Sequence, residues 1–335
     1  MLSKITVSPS PHISQAHSTR SIMLDVIIAL VPAMIAAWIF FRTRALVITG
    51  VCVATCVFSE WLCNAVRKKP NSLDDLSAVV TGIILAFSVP PALPVWAAVI
   101  GSAFAVVIGK MVFGGLGSNI FNPAMAGRAF LTACFGMLMT TWTVPATIDP
   151  MIPKIAATGT SAVTQATPLA WSKLAIKGKA DTKIVTTQLE GTLTGQVGGC
   201  LGETSSIALL IGALYLVLRQ TINVNIPLAV ISSAFVFATI GYLINPDAYM
   251  PPWLHLTTGG MLLGAFFIAT DPVTAPLSTK GMWIFGIGAG ALVMLIRIVG
   301  EYPEGVMYAI LIMNAVTPLI DRFCKLVPAG GKPSA

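Results

Sequence analysis

The sequence predicts an all-α polytopic membrane protein of about ten transmembrane helices, arranged as two inverted five-helix repeats. Three observations predict it. Hydrophobic residues make up 56% of the 335 and charged residues only 10%, too few charges to coat a soluble surface of this size. Several apolar runs reach the roughly 20 residues that a helix needs to cross a bilayer. Weak matches recur in the same order in the two halves, and an odd number of spans per half turns the second copy over.

Residues 1–20 form a polar arm containing Ser8-Pro9-Ser10-Pro11-His12, with no apolar core and small-residue cleavage site, so no cleaved signal peptide is expected. The first repeat, residues 21–142, has spans expected at 21–41, 45–66, 77–89, 95–113 and from about 120 to near Trp142. Arg42 and Arg44 make the first turn, and Arg67, Lys68 and Lys69 the second. The third stretch is short and breaks at Pro90-Pro91-Ala92-Leu93-Pro94, because proline cannot continue a helix. Residues 143–204 form a polar, extracytoplasmic loop far longer than an ordinary helix connection. The second repeat, residues 205–324, has spans near 205–219, 225–244, 256–270, 281–299 and 305–323. Its breaks fall at Pro251-Pro252, at Asp271-Pro272 and at Tyr302-Pro303-Glu304-Gly305, and residues 325–335 are a cytoplasmic tail.

The repeat rests on order. Ser21, Ala29 and Leu30 line up with Ser205, Ala213 and Leu214; Thr81-Gly82 with Thr258-Gly259; Asn122 and Arg128 with Asn314 and Arg322. Apolar helices also resemble one another by composition alone. Inverted repeats with broken helices place a site near the bilayer midplane. The net charge of +7 reads as positive-inside bias and not as a nucleic-acid footprint; lipid is the expected surround. With the amino terminus inside, cytoplasmic segments hold Arg67, Lys68, Lys69, Lys110 and Arg219 among others, against Arg42, Arg44 and Arg297 outside. Both termini are thus expected in the cytoplasm.

Ionisable residues at membrane depth are costly and mark function by default. Asp271 is the sharpest, because a helix must break at Thr270-Asp271-Pro272 and a carboxylate beside freed carbonyls suits a cation pathway; a helix-capping role weighs about equally. Arg128 suits an anionic ligand or a buried ion pair. Asp25 and Glu60 lie near span ends and read as solvated. Cys52, Cys56 and Cys63 share a helical face, but without CxxC or a neighbouring histidine they read as apolar packing.

The long loop contains Thr164-Gln165-Ala166-Thr167-Pro168-Leu169. A residue before proline is pushed toward extended backbone, so Thr167 is expected to stand out where a modifying enzyme reaches it. Nothing nearby in sequence activates its hydroxyl, so an attachment point is the expected role, against the plainer reading of a hydroxyl-rich loop with no role. No catalytic residue is assigned.

Thr164-Gln165-Ala166-Thr167 resembles the flavin-transferase target pattern Asp-x-x-[Ser/Thr]-Gly-Ala-Thr; Ser161 stands at the Asp position and Gln165 at the Gly position. With Ser10-Pro11-His12, Phe121-Asn122-Pro123-Ala124-Met125-Ala126-Gly127-Arg128, Gly202-Glu203-Thr204-Ser205 and Ala269-Thr270-Asp271-Pro272-Val273, the chain resembles the family of Rnf D subunits and Na+-translocating NADH:quinone reductase B subunits. The resemblance implies covalent FMN on Thr167, with Thr164 and Ala166 completing the motif and Asn122 and Arg128 as further cofactor contacts. It also implies a non-covalent riboflavin and electron relay coupled to Na+ or H+ translocation, in a ferredoxin/NAD complex of the bacterial inner membrane. The implied partners are a flavin transferase, the outer-face, FMN-bearing G subunit of the Rnf-type complex and its NADH-binding C subunit. Two other readings compete: a small-solute channel or secondary transporter using Asn122, Asp271 and Asn314 without a redox cofactor, and a scaffold that only anchors redox partners.

Overall fold

A computed structural model describes residues 18–142, 167–176, 198–203, 205–246, 248–300 and 302–325, and among these every regular element is helical. The first half contains α1 (Thr19–Phe41), α2 (Thr43–Val66), α3 (Ser77–Phe87), α4 (Val95–Val106), α5 (Pro123–Cys134) and α6 (Gly136–Met139). Then follow α7 (Pro168–Ile176), α8 (Ser206–Leu218), α9 (Asn225–Ile244), α10 (Pro252–Thr257), α11 (Met261–Leu263), α12 (Thr279–Ile298) and α13 (Val306–Phe323). Helices α4 and α11 each run on into a π-turn, Val107–Met111 and Gly264–Ile268. Such turns arise where a helix carries an extra residue, often at functional sites. The amino-terminal arm, the carboxy-terminal tail, Thr164 and Ala166 lie outside the described residues.

Local chemistry sets the helix ends. Ser18 caps α1 by accepting from the Ser21 amide, Ser205 caps α8 by accepting from Ala208, and Ser278 caps α12 by accepting from Gly281. Helix α1 gives way to α2 at a single residue, Arg42, whose φ of 55° lies where a side chain is strained.

Helix α1 is apolar on both faces. Met23, Leu30, Ala33 and Ala37 are buried, while Leu24, Ile28, Ile35 and Trp38 point outward. A helix at a water boundary carries polar residues opposite its core stripe; this outward face suits hydrocarbon. Helices α1, α2, α9, α12 and α13 are long and apolar enough to cross a membrane, and α3, α4 with its π-turn, and α8 are shorter apolar helices. Two expected spans are divided. The fifth breaks at Phe135 into α5 and α6, and the eighth consists of α10, α11 and a π-turn, interrupted at Thr258 and Gly259. The cause is local: Gly259 has φ +67°, a conformation that ends a helix.

Helix α1 packs against α8 in antiparallel sense. Asp25 meets Tyr215 and Thr221 near the end of α8, and Ala29 lies against Gly212. The matched Leu30 and Leu214 do not share an environment, since Leu30 is 0% exposed and Leu214 59%. Helices α9 and α12 approach most closely through Gly286 and Gly290: a Cβ on Gly286 would lie 2.5 Å from the Ala229 Cβ, and one on Gly290 would strike the Val230 carbonyl. One core, from Met23 to Ile320, joins both halves.

Candidate functional site

The interrupted helices bring Asn122, Asp271 and Asn314 together. Asn122 starts α5, its Oδ1 accepting from the Met125 amide at 3.2 Å with Pro123 as the first helical residue. Its Nδ2 donates to Asp271 Oδ2 at 3.2 Å, and its backbone N–H donates to Asn314 Oδ1 on α13 at 3.1 Å. Asp271 follows the π-turn. Its carboxylate also accepts from the Val273 amide and the Thr274 hydroxyl, while the Thr274 carbonyl accepts from Asn314 Nδ2 and the Thr317 hydroxyl. All these partners are neutral, and among the described residues no cationic side chain pairs with Asp271. Asp271 also caps its own turn, the capping role weighed for it from sequence.

A cavity of about 60 Å³ lies beside this cluster, its polar wall including Ser77, Lys110, Asn119, Asn122, Thr270 and Asp271. Asn119 Oδ1 is buried there without a hydrogen-bond partner. Lys110 belongs to the π-turn after α4 and is 1% exposed. Its ammonium donates to Glu60 Oε2 at 2.7 Å and to Ser77 Oγ at 2.6 Å, and Ser72 donates to Glu60 Oε1. The sequence places Lys110 at a cytoplasmic span end and Glu60 in solvent; the fold instead buries them as one ion pair. Asp25 is corrected likewise: it is 3% exposed, ion-paired to Arg219 at 3.4 Å and hydrogen-bonded by Tyr215 and Thr221. In each case a residue on a neighbouring element removes the cost of burial, which one helix's sequence does not display.

A second charged cluster joins the halves. Arg128 on α5 lies 3.8 Å from Glu203 Oε1 and donates toward the Cys200 sulfur at 3.6 Å. This is the structural ion pair weighed for Arg128. Arg297, expected in an outer turn, is 3% exposed within α12; it donates to the carbonyls of His255 and Thr258 and pairs with Glu304 at 3.2 Å. Glu304 also accepts from the Gly260 amide. Burial pushes the Glu203 carboxyl up and Glu304 adds to the push. Burial opposes ionisation of Glu304 as well, but Arg297 and Arg128 hold it below the usual carboxylate range. Reading the spans separately missed both this cluster and the Lys110–Glu60 pair. The available signal was a lysine within an apolar run, and an arginine seven residues before a glutamate across a Pro-Gly break.

Thr167 is buried, 7% exposed, and does not stand out from the surface. It precedes Pro168 at the start of α7, and its Oγ1 accepts from the Ala170 amide at 3.2 Å. The proline that favours extended backbone before it also makes a good first helical residue, so Thr167 becomes an N-cap. Leu169 packs with Met250 and Leu254 and covers Gly259, and Lys173 donates to the carbonyls of Ile296 and Tyr302. The motif threonine is thereby joined, through α7, to the face that carries Arg297. Cys52 and Cys56 are buried among apolar residues.

A chain apolar on its outer face and polar at buried helix breaks is a multi-pass α-helical membrane protein. Residues 6–330 match the NQR2, RnfD, RnfE family, and the chain belongs to it. It is 45% identical over 321 residues to the D subunit of the Na(+)-translocating ferredoxin:NAD(+) oxidoreductase complex of Acetobacterium woodii, covering 96% of this chain and 94% of that relative. It is 42% identical to the D subunit of the proton-translocating ferredoxin:NAD(+) oxidoreductase complex of Clostridium ljungdahlii, covering 97% and 96%. With the D subunit of the ion-translocating oxidoreductase complex of Yersinia enterocolitica it shares 36% identity, covering 95% and 96%.

Proposed function

We propose that this chain is the membrane subunit of an Rnf-type, ion-translocating ferredoxin:NAD oxidoreductase complex, carrying FMN in phosphoester linkage to Thr167. It relays electrons whose passage is coupled to Na+ or H+ movement. Turnover belongs to the assembled complex, whose G and C subunits are its partners, with riboflavin as a second, non-covalent flavin. Its two halves are inverted five-helix repeats, consistent with the antiparallel pairing of α1 and α8. It resides in the inner membrane with both termini in the cytoplasm.

The observation that carries this reading is the position of Thr167 as the cap of α7, whose Leu169 meets Arg297 and Glu304 around Gly259. The donor set fits a phosphoester: the Ala170 amide donates to the threonine oxygen, and the positive end of α7 lies at that residue. When bound, FMN supplies electron transfer chemistry that no side chain here provides. The chain's own residues hold the attachment oxygen, fix α7 through Leu169 and Lys173, and balance charge at Arg128 and Arg297. Asp271 and Asn122, beside the cavity, serve the cation pathway.

The same cavity favours one other reading, a small-solute channel or transporter. The test is the intact mass of the denatured chain from its native membrane, with in-gel flavin fluorescence. A gain of one FMN less one water, absent in Thr167→Val, supports the flavin carrier; an unmodified, non-fluorescent chain favours the transporter.

A further inference from the structure

We infer that Thr167 receives its flavin before α7 docks, and that Lys173 is the latch which then closes the site to the transferase. The inference rests on the proposed attachment of FMN to Thr167 and goes beyond it to the order of events. The transfer requires the Thr167 hydroxyl to attack the FMN-side phosphorus of a flavin adenine dinucleotide. The Oγ–P bond forms, the pyrophosphate P–O bond breaks, AMP leaves, and the hydroxyl proton is lost to AMP or solvent.

In the docked helix that attack has no access. Thr167 is 7% exposed, and its oxygen already accepts from the Ala170 amide. Two features hold α7 in place. Leu169 fills the apolar site made with Met250 and Leu254 over Gly259. Lys173 donates at 2.6 Å to the Tyr302 carbonyl and at 3.3 Å to that of Ile296, in the last turn of α12, where a cation meets the negative helix end. Both anchors come from residues 250–302, in the second half of the chain. Docking therefore waits until that half is inserted, and until then these anchors do not cover the Thr167 hydroxyl. Once attached, the phosphoester lies at the positive end of α7, which favours the docked helix.

The test has two arms with the full-length chain. In the first, the chain is coexpressed with the flavin transferase; a mass gain of one FMN less one water, lost in Thr167→Val, supports the underlying reading. In the second, unmodified chain is made without the transferase, purified folded in detergent, and only then given transferase, FAD and Mg2+. The folded wild type is expected to be modified slowly, and Lys173→Met faster by roughly tenfold or more, since even one charge-assisted hydrogen bond lost gives about that factor. Lys173→Arg, which keeps the cation, should restore slow modification, and an unchanged gel-filtration profile and melting curve exclude unfolding as the cause. Equal rates for folded wild type and Lys173→Met overturn the inference while the attachment reading stands. No mass gain in the coexpression arm overturns the attachment reading and the inference with it.

Discussion

Asn122 and Asp271, 149 residues apart in the chain, share a hydrogen bond of 3.2 Å between a helix cap and a helix break. The Asn122 backbone N–H donates in turn to Asn314, so three elements meet at one residue. Asn122→Ala removes the α5 cap, about 1 kcal/mol, and leaves Asp271 with one neutral donor fewer, about 1–3 kcal/mol. A loss of roughly 2–4 kcal/mol is expected in denaturant unfolding of the purified chain followed by tryptophan fluorescence. Asn314→Ala should fall within that range, because it leaves the buried Asn122 amide without its acceptor.

The Lys110–Glu60 pair predicts a different pattern. Lys110→Met strands a carboxylate that is 0% exposed and is expected to cost about 3–5 kcal/mol. Lys110→Met combined with Glu60→Leu should recover most of that loss, since replacing both partners with apolar groups removes the uncompensated charge. A double-mutant cycle measured by unfolding in mixed micelles checks it; additive losses would contradict the pairing.

Thr167 combines two functions that substitutions separate. Thr167→Val and Thr167→Asp should both abolish in-gel flavin fluorescence, since neither offers a hydroxyl. Only the valine variant should loosen α7, because aspartate still caps it; the cap is worth about 1 kcal/mol. Limited proteolysis around α7, faster in Thr167→Val than in Thr167→Asp, is the expected result.

The two buried glutamates should respond to pH in opposite directions. The Glu203 carboxyl is raised above its ordinary 4.5, so its contribution to stability is full below pH 4.5 and lost as pH rises through its folded value. Glu304 is lowered, so its contribution is present above pH 4.5 and lost as pH falls through its folded value. Glu203→Gln should remove the Glu203 part of this pH dependence, since an amide does not titrate. Glu304→Gln leaves the Arg297 charge uncompensated and should cost about 3 kcal/mol. Melting curves of the two variants from pH 4 to pH 8 check both signs.

Span positions were legible because an apolar run long enough to cross a bilayer is a local property. The expected 225–244 coincides with α9, and 205–219, 281–299 and 305–323 agree with α8, α12 and α13 to within two residues at each end. The break at Asp271 was legible for the same reason, since Thr270-Asp271-Pro272 cannot continue a helix. The break at Phe135 was missed, although Gly136 directly after it is a helix-ending signal.

Solvation of individual side chains was not legible. Asp25, Glu60 and Lys110 each sit near the end of an apolar run, where water is the ordinary expectation; their partners come from other helices or from the turn beside them. The exposure of Thr167 was misjudged because Leu169 and Lys173 draw α7 onto residues remote in sequence. The sequence by itself determined a helical membrane protein, most of the places where its helices end, and the family to which it belongs. Only the tertiary structure decided which buried charges meet, that Asn122, Asp271 and Asn314 form one cluster, and that Thr167 is covered. Helix formation and membrane insertion follow from neighbours along the chain, whereas burying a charge or a hydroxyl depends on a partner that the chain brings from far away.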